Sequence, residues 1–214
     1  MGTITVIRHG QANSHAKTEE EYDRLSDLGH AQARWLGDWL REREERFDLV
    51  LSGTLRRHIE TAKGMGYATP QVDPRLNEMD YFNLGRALED THGIPMPDGD
   101  GFAEHMPKVM EAWHRAEIMG RETFASFEAR VAAVMAEAVQ PGRHVLCVTS
   151  GGVIAMMVRH LLDLDPKRMA HIALPIFNTS VHRIHVGAIG PVLAGFNAVP
   201  HLEMADRAHA RTNF

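Results

Sequence analysis

The chain has 214 residues, 44% hydrophobic and 24% charged, with a net charge of -5 when its histidines are neutral. That is the balance of a globular protein able to bury roughly 70% of the surface its unfolded chain exposes, and its acidic sign argues against nucleic acid as a partner. The single cysteine, Cys147, excludes an intrachain disulfide and a Cys-x-x-Cys zinc site.

No stretch approaches the ~20 apolar residues that span a bilayer, and Met1–Arg8 carries no basic run ahead of a long apolar one. A soluble, cytoplasmic protein with no membrane partner is expected. Fourteen histidines are many for this length, yet there is no His-Glu-x-x-His. His182 and His185 stand three apart in a β-branched run, which sends them to opposite faces of a strand. No metal is expected.

In chain order, Thr3–Ile7 reads as a short buried strand stopped by Arg8-His9-Gly10. After a polar loop, Leu25-Ser-Asp-Leu-Gly-His begins a helix whose apolar face is Leu28, Trp35, Leu36, Trp39 and Leu40. Phe47–Ser52 is a second strand, and Gly53-Thr54 start a helix running to about Met65. Pro70–Pro74 is a short extended link, followed by Leu76-Asn-Glu-Met-Asp.

The stretch from Tyr81 to Glu122 is the least regular, with a loop over Gly93–Gly101 and a helix over Phe102–Arg115. Met106, Met110, Trp113 and Met119 fit either an apolar cap or core packing. Phe124, Phe127, Val131, Val134 and Met135 mark an amphipathic helix that Pro141-Gly142 ends. His144–Thr149 is a strand, Ser150-Gly151-Gly152 a sharp turn, and Val153–Leu162 an apolar helix. Asp165-Pro166 opens a short helix with proline at its first position. Val181–Val186 and Val192–Phe196 form a closing hairpin.

Alternating strands and helices predict an α/β fold, a three-layer α/β/α sandwich with a mostly parallel sheet. The chain reads as one domain, 1–214, with a helical cap inserted at about 81–122. Ligands of such folds bind outside the carboxyl ends of the strands, which singles out Arg8-His9-Gly10, Ser52-Gly53 and Thr149–Gly152.

Those places carry the chemistry. Imidazole can attack phosphorus and hold the phosphoryl group covalently, and an adjacent arginine offers a planar fork for its oxygens. Gly10 frees the backbone so that Arg8 and His9 can face one site. Arg56 and Arg57 open a helix, where cations are disfavoured unless they face an anion; two solvated arginines fit equally well. Glu78 and Asp80 follow a short link, and a carboxyl there can serve as general acid or simply as a surface group. Ser150-Gly151-Gly152 presents helix-start amides, or a turn that needs glycine.

Taken in order, these pieces resemble the histidine phosphatase superfamily, the phosphoglycerate-mutase-like proteins. Ile7-Arg-His-Gly-Gln11 opens the match. Leu25-Ser-Asp-Leu-Gly-His-Ala-Gln-Ala33 is similar to the family's Leu-Thr-x-x-Gly-x-x-Gln-Ala. Ser52-Gly-Thr-Leu-Arg-Arg-His-Ile-Glu-Thr-Ala62 resembles its second arginine motif, in a register that selects Arg57. Leu76-Asn-Glu78 resembles the acid loop and Val145–Val153 the strand and turn of the second histidine. Asn178-Thr-Ser and His201-Leu also match.

The resemblance implies that His9 takes the phosphoryl group, Arg8 and Arg57 hold its oxygens with Ser150 and Gly151, and Glu78 protonates the leaving alcohol. Water would then attack the phosphohistidine, with no metal or other cofactor. A small-molecule phosphate ester is the expected partner, and the oligomeric state stays open. One departure matters: the family has Ser-His-Gly-Gly where this chain has Thr149-Ser150-Gly151-Gly152. Losing such a donor costs about 3–4 kcal/mol, so either turnover is slow or another group fills the gap, with His58 and His182 as candidates. The expectation is therefore a phosphatase. The alternatives are a weak or inactive descendant that binds phosphate ligands or proteins, and a phosphoglycerate-mutase-type phosphotransferase. The lack of a cation between Met79 and Arg86 favours hydrolysis over the mutase.

Overall fold

The computed structural model describes residues 2–13, 16, 18–97 and 101–213. Its elements run β1 (Gly2–Arg8), α1 (Glu19–Tyr22), α2 (Asp27–Glu42), β2 (Leu49–Ser52), α3 (Arg56–Gly64) and β3 (Gln71–Val72). They continue with α4 (Tyr81–His92), α5 (Phe102–His114), α6 (Phe124–Ala138), β4 (His144–Thr149), α7 (Gly151–Leu162), α8 (Pro166–Ala173), β5 (Val181–Gly187) and β6 (Gly190–Ala198).

The strands form one six-stranded sheet in the order β3-β2-β4-β1-β5-β6. β1 to β4 are mutually parallel where they pair, and β5 and β6 add the antiparallel edge. Alternate side chains of the central strands feed two different cores, as the period of two requires. Ile4, Val6, Val145 and Cys147 join Leu84, Leu88, Met110, Trp113, Phe127, Val131 and Val153 on one face, which is covered by α4 to α8. Ile7, Leu146 and Val148 join Leu36, Leu40, Ala62 and Met65 on the other, covered by α2 and α3. The three-layer α/β/α expectation is met. No helix of the described residues is long and apolar enough to cross a membrane.

Register and crossover direction together place the crevice. β1 and β4 pair from Thr3↔His144 to Arg8↔Thr149, and Ser52 of β2 lies level with Val148. The three strand ends therefore finish side by side. After β1 the chain turns to the α2 face, whereas after β4 it enters α7 on the opposite face. Adjacent parallel strands whose connections diverge leave a cleft between their carboxyl ends.

Local sequence accounts for most helix boundaries. Ser26 caps α2 by accepting from the Gly29 amide, Thr123 caps α6 through Ser126, and Asp165 caps α8 through Arg168 with Pro166 at the first position. The structure differs from the sequence reading at several points. Residues 81–92, expected to be irregular, form α4, with Leu84 and Leu88 buried one turn apart and Gly93 ending it at φ 68°. Its interior Gly85 obscured the pattern, and a Cβ there would press on the flexible end of the Met96 side chain. Of the loop expected over 93–101, residues 98–100 lie outside the described residues. α7 starts at Gly151 and not Val153. Met106, Met110 and Trp113 pack in the core while Met119 is exposed, so the core use of these side chains prevails. Leu28 and Trp35 pack against Val199, Leu202 and Ala210 near the C-terminus, off the main α2 stripe.

The start of α2 lies directly on the loop after β1. A Cβ on Gly10 would overlap the Gly29 carbonyl, and one on Gly29 would overlap the Gln11 carbonyl. Gly29→Ala should therefore destabilise the fold by about 1–3 kcal/mol, the usual range for overpacking, in urea unfolding monitored by circular dichroism.

Candidate active site

His9 sits one residue past β1, and every main-chain polar group around it is engaged. Its amide donates to the Thr149 carbonyl at 2.9 Å, extending the β1–β4 pairing by one step. Its carbonyl accepts from Asn178 Nδ2 at 3.2 Å and from the Thr179 amide at 3.3 Å. The Gly10 amide donates to Thr61 Oγ1 at 3.0 Å, and that hydroxyl donates to the Arg57 carbonyl. A turn fixed at so many points sets the ring's direction.

His9 Nδ1 lies 2.7 Å from the Gly10 carbonyl oxygen. A carbonyl only accepts, so in the neutral ring the proton is on Nδ1 and Nε2 keeps the lone pair. Burial holds the pKa of His9 well below that of free imidazole, reinforced by Arg57, Arg8 and His58, with the Gly10 carbonyl opposing. A neutral imidazole with a free lone pair is the nucleophilic form.

Arg8 and Arg57 are both buried. Arg8 Nη1 donates to the carbonyls of Ile176 and, at 2.8 Å, Asn213, so the chain's last turns grip it. Its Nε faces Gly151 at the start of α7. Arg57 Nη1 meets Glu19 Oε1 at 2.7 Å and Asp23 Oδ1 at 3.2 Å, and its guanidinium lies 4.9 Å from the Tyr22 ring centroid. Burial alone would lower the pKa of Arg57, but Glu19, Tyr22 and Asp23 raise it. Burial raises that of Glu19 in turn, against the pull of Arg57 and with help from Glu78. The Nε of each arginine is buried without a hydrogen-bond partner among the described residues. Unpaired buried donors on two cations beside one imidazole leave a place for anion oxygens.

Glu78 is held by two amides, Met79 at 2.9 Å and Gly152 at 3.0 Å. A Cβ on Gly152 would overlap its carboxylate, so the close approach depends on glycine. The loop beneath it is pinned from three sides. Arg130 Nη1 donates to the carbonyls of Arg75 and Asn77 at 2.7 and 2.8 Å. Thr149 Oγ1 donates to Leu76, and Asn77 exchanges two hydrogen bonds with Thr54.

Of the two histidines considered for the gap at Ser150, His58 reaches it. His58 Nε2 is 2.6 Å from Ser150 Oγ, and its ring centroid is 5.6 Å from that of His9. His182 instead meets Ser180 Oγ through Nε2 and the Asn197 amide through Nδ1, with its edge against Phe196. Both of its nitrogens are occupied away from Ser150. Among the described residues, no group of three His, Cys, Asp or Glu side chains is arranged to hold a metal ion.

The model of the histidine phosphatase superfamily (branch 1) matches residues 4–199 of this sequence, from β1 to the end of β6. The chain belongs to that superfamily. A 2,3-bisphosphoglycerate-dependent phosphoglycerate mutase of Thermobifida fusca (strain YX) is 28% identical over 209 residues, covering 82% of this chain and 84% of that protein. A phosphoserine phosphatase mutant from Entamoeba histolytica, solved in complex with phosphoserine, has the same fold at a TM-score of 0.69 and 20% identity, covering 94% of this chain and 100% of the other. A mycobacterial glucosyl-3-phosphoglycerate phosphatase solved with VO3 matches at a TM-score of 0.64 and 26% identity, covering 92% and 98%.

Within this superfamily member, four groups at or beneath the site escaped the sequence reading. Glu19, Tyr22 and Asp23 come from what reads as a polar loop, although the run Thr18-Glu-Glu-Glu-Tyr-Asp23 concentrates acid close to Arg8-His9-Gly10 in sequence. Asp23 also caps α3, accepting from the Arg56 and Arg57 amides, a task the local Leu55 cannot perform. Arg130 gave no local signal, because its role exists only once α6 packs beside the 75–78 loop.

Two outcomes are expected. Arg130→Met should leave the protein folded yet lower kcat by up to about a hundredfold, the scale of a one-ångström displacement of a catalytic group, measured by steady-state kinetics. Burial lowers the pKa of both His182 and His201 to about 3. Between that value and about 6.5 the unfolded chain binds protons that the folded chain does not. Stability is then complete above about pH 6.5 and lost progressively on acidification, so thermal melts should give a Tm that is flat above that pH and falls below it.

Proposed function

We propose that this protein is a metal-independent phosphatase that hydrolyses a small phosphomonoester through a phosphohistidine on His9. The observation that carries the reading is a neutral imidazole, its proton fixed on Nδ1 by the Gly10 carbonyl, beside two buried arginines whose Nε groups have no partner among the described residues.

In this reading His9 Nε2 attacks phosphorus as the bond to the ester oxygen breaks. Glu78 gives its proton to that oxygen, and the alcohol leaves. Water then attacks the phosphohistidine, returns a proton to Glu78, and releases inorganic phosphate with His9 restored. Arg8, Arg57 and the Ser150–Gly151 turn gather the phosphoryl oxygens, so preorganised charge lowers both barriers. The entering phosphate must compete with Glu19 and Asp23 for Arg57, which favours a dianionic ester over a weaker anion. Residues 81–122, entered directly from the Glu78 loop, frame the leaving-group side in this proposal and form a cap on a single domain.

Hydrolysis is preferred over mutase activity because Met79–Gly85 presents no cation to hold a second acidic group of a substrate. The solved phosphatases that share the fold act on phosphoserine or glucosyl-3-phosphoglycerate by name, and small esters of that kind support the choice of substrate class. A second reading, a binding protein without turnover, is favoured by one observation: two carboxylates already occupy Arg57.

Rapid mixing with an aryl phosphate, acid-free quenching and mass spectrometry should find an 80-dalton adduct, roughly the mass of one phosphoryl group on a covalent nucleophile, on the peptide carrying His9. Turnover should persist in EDTA and fall to background in His9→Ala. Background turnover by the wild-type chain with no adduct would leave only the binding reading.

A further inference from the structure

We propose that His58 and Ser150 act as one hydrogen-bond donor, in which the buried imidazole holds the Ser150 hydroxyl so that its proton is presented to the transferring phosphoryl group. The inference rests on the phosphatase reading and names a positioning residue that the reading does not require.

The proton inventory makes the case. Ser150 Oγ is buried, lies 2.6 Å from His58 Nε2, and is not used to cap α7 although it occupies the capping position. A hydroxyl has one proton to give. If His58 donates from Nε2, that proton is free for an anion above the turn. In the opposite arrangement it is spent on His58, and a buried Nδ1–H is left without an acceptor, since Nδ1 has no partner among the described residues. An entering phosphoryl oxygen, which only accepts, selects the first arrangement.

The rest of the structure makes room for this pair. Gly53 follows β2 directly beside the ring, and a Cβ there would overlap His58 Nδ1. The ring centroid lies 5.6 Å from that of His9 at a 35° tilt, which places the pair next to the proposed nucleophile. Burial and the neighbouring Arg57 keep His58 neutral, so the unit supplies a hydrogen bond and no added charge. A histidine at position 150 cannot simply be added, because the space ahead of Ser150 Oγ is already filled by the His58 ring.

The test is a double-mutant cycle with an exchange variant, each protein first checked for a cooperative thermal melt. Ser150→Ala and His58→Ala should each lower kcat by about 10²–10³, the cost of one lost oxyanion donor, with little change in KM. The two together should be no worse than either alone. Ser150→His alone should be slower than wild type, whereas Ser150→His combined with His58→Ala should recover at least about tenfold over His58→Ala, a rescue a purely structural histidine would not show. Losses that multiply in the double variant, an unchanged kcat in His58→Ala, or no recovery on exchange would each overturn the proposal while the His9 adduct persists. Absence of that adduct in the wild type would instead overturn the phosphatase reading beneath it.

Discussion

Two guanidinium groups are buried close enough to the His9 imidazole to help keep it neutral, and several segments outside the sheet are engaged in partnering them. Removing such charges from water costs several kcal/mol each unless partners replace the solvent. For Arg8 the partners are carbonyls from the segment before β5 and from the chain end. For Arg57 they are carboxylates and a ring from α1 and its C-cap residue. Neither set could be supplied by the strand or helix that carries the arginine. The C-terminal segment, the segment before β5 and the loop after β1 are therefore drawn over the carboxyl edge of the sheet, and the two Nε atoms are left without a hydrogen-bond partner among the described residues.

Close backbone approach is the second organising constraint. Four glycines stand where a Cβ would collide with a neighbour at the site: Gly10 with the Gly29 carbonyl, Gly29 with the Gln11 carbonyl, Gly53 with His58, and Gly152 with Glu78. Each removes one side chain so that another can come closer. Gln32 completes the frame, accepting from the Gln11 amide at 2.8 Å while donating to the Ala210 carbonyl and to Thr212. Through that amide α2 ties the His9 loop to the C-terminal turns, and Thr212 is tied in turn to Asn178, whose side chain holds the His9 carbonyl. The loop's position thus depends on contacts spread across the sequence, which explains why residues far from His9 in the chain bear on its geometry.

Relative to the motif its superfamily presents after the fourth strand, the chain exchanges an imidazole for a hydroxyl at Ser150. The structure sets a second imidazole behind that hydroxyl from a different helix. In the proposed phosphatase this arrangement lowers the positive charge near the phosphoryl group while keeping a hydrogen-bond donor there. Charge and donor geometry contribute separately to stabilising a developing anion, so a site can lose the first and keep the second.

The sequence by itself determined the layers, the parallel core of the sheet and the identity of the strand ends, because periods of two and of about 3.6 and the glycine turns are local properties. It also singled out Arg8, His9, Arg57, Glu78 and Ser150, through short motifs in a fixed order. It missed α4, where an interior glycine broke the pattern, and it could not choose between His58 and His182. That choice, the tautomer of His9, the carboxylates on Arg57 and the support of Glu78 by Arg130 were decided only by tertiary structure. Each depends on which atoms meet across long separations in the chain. A sequence fixes its neighbours along the backbone, whereas hydrogen-bond partners and burial exist only once the layers have closed on one another.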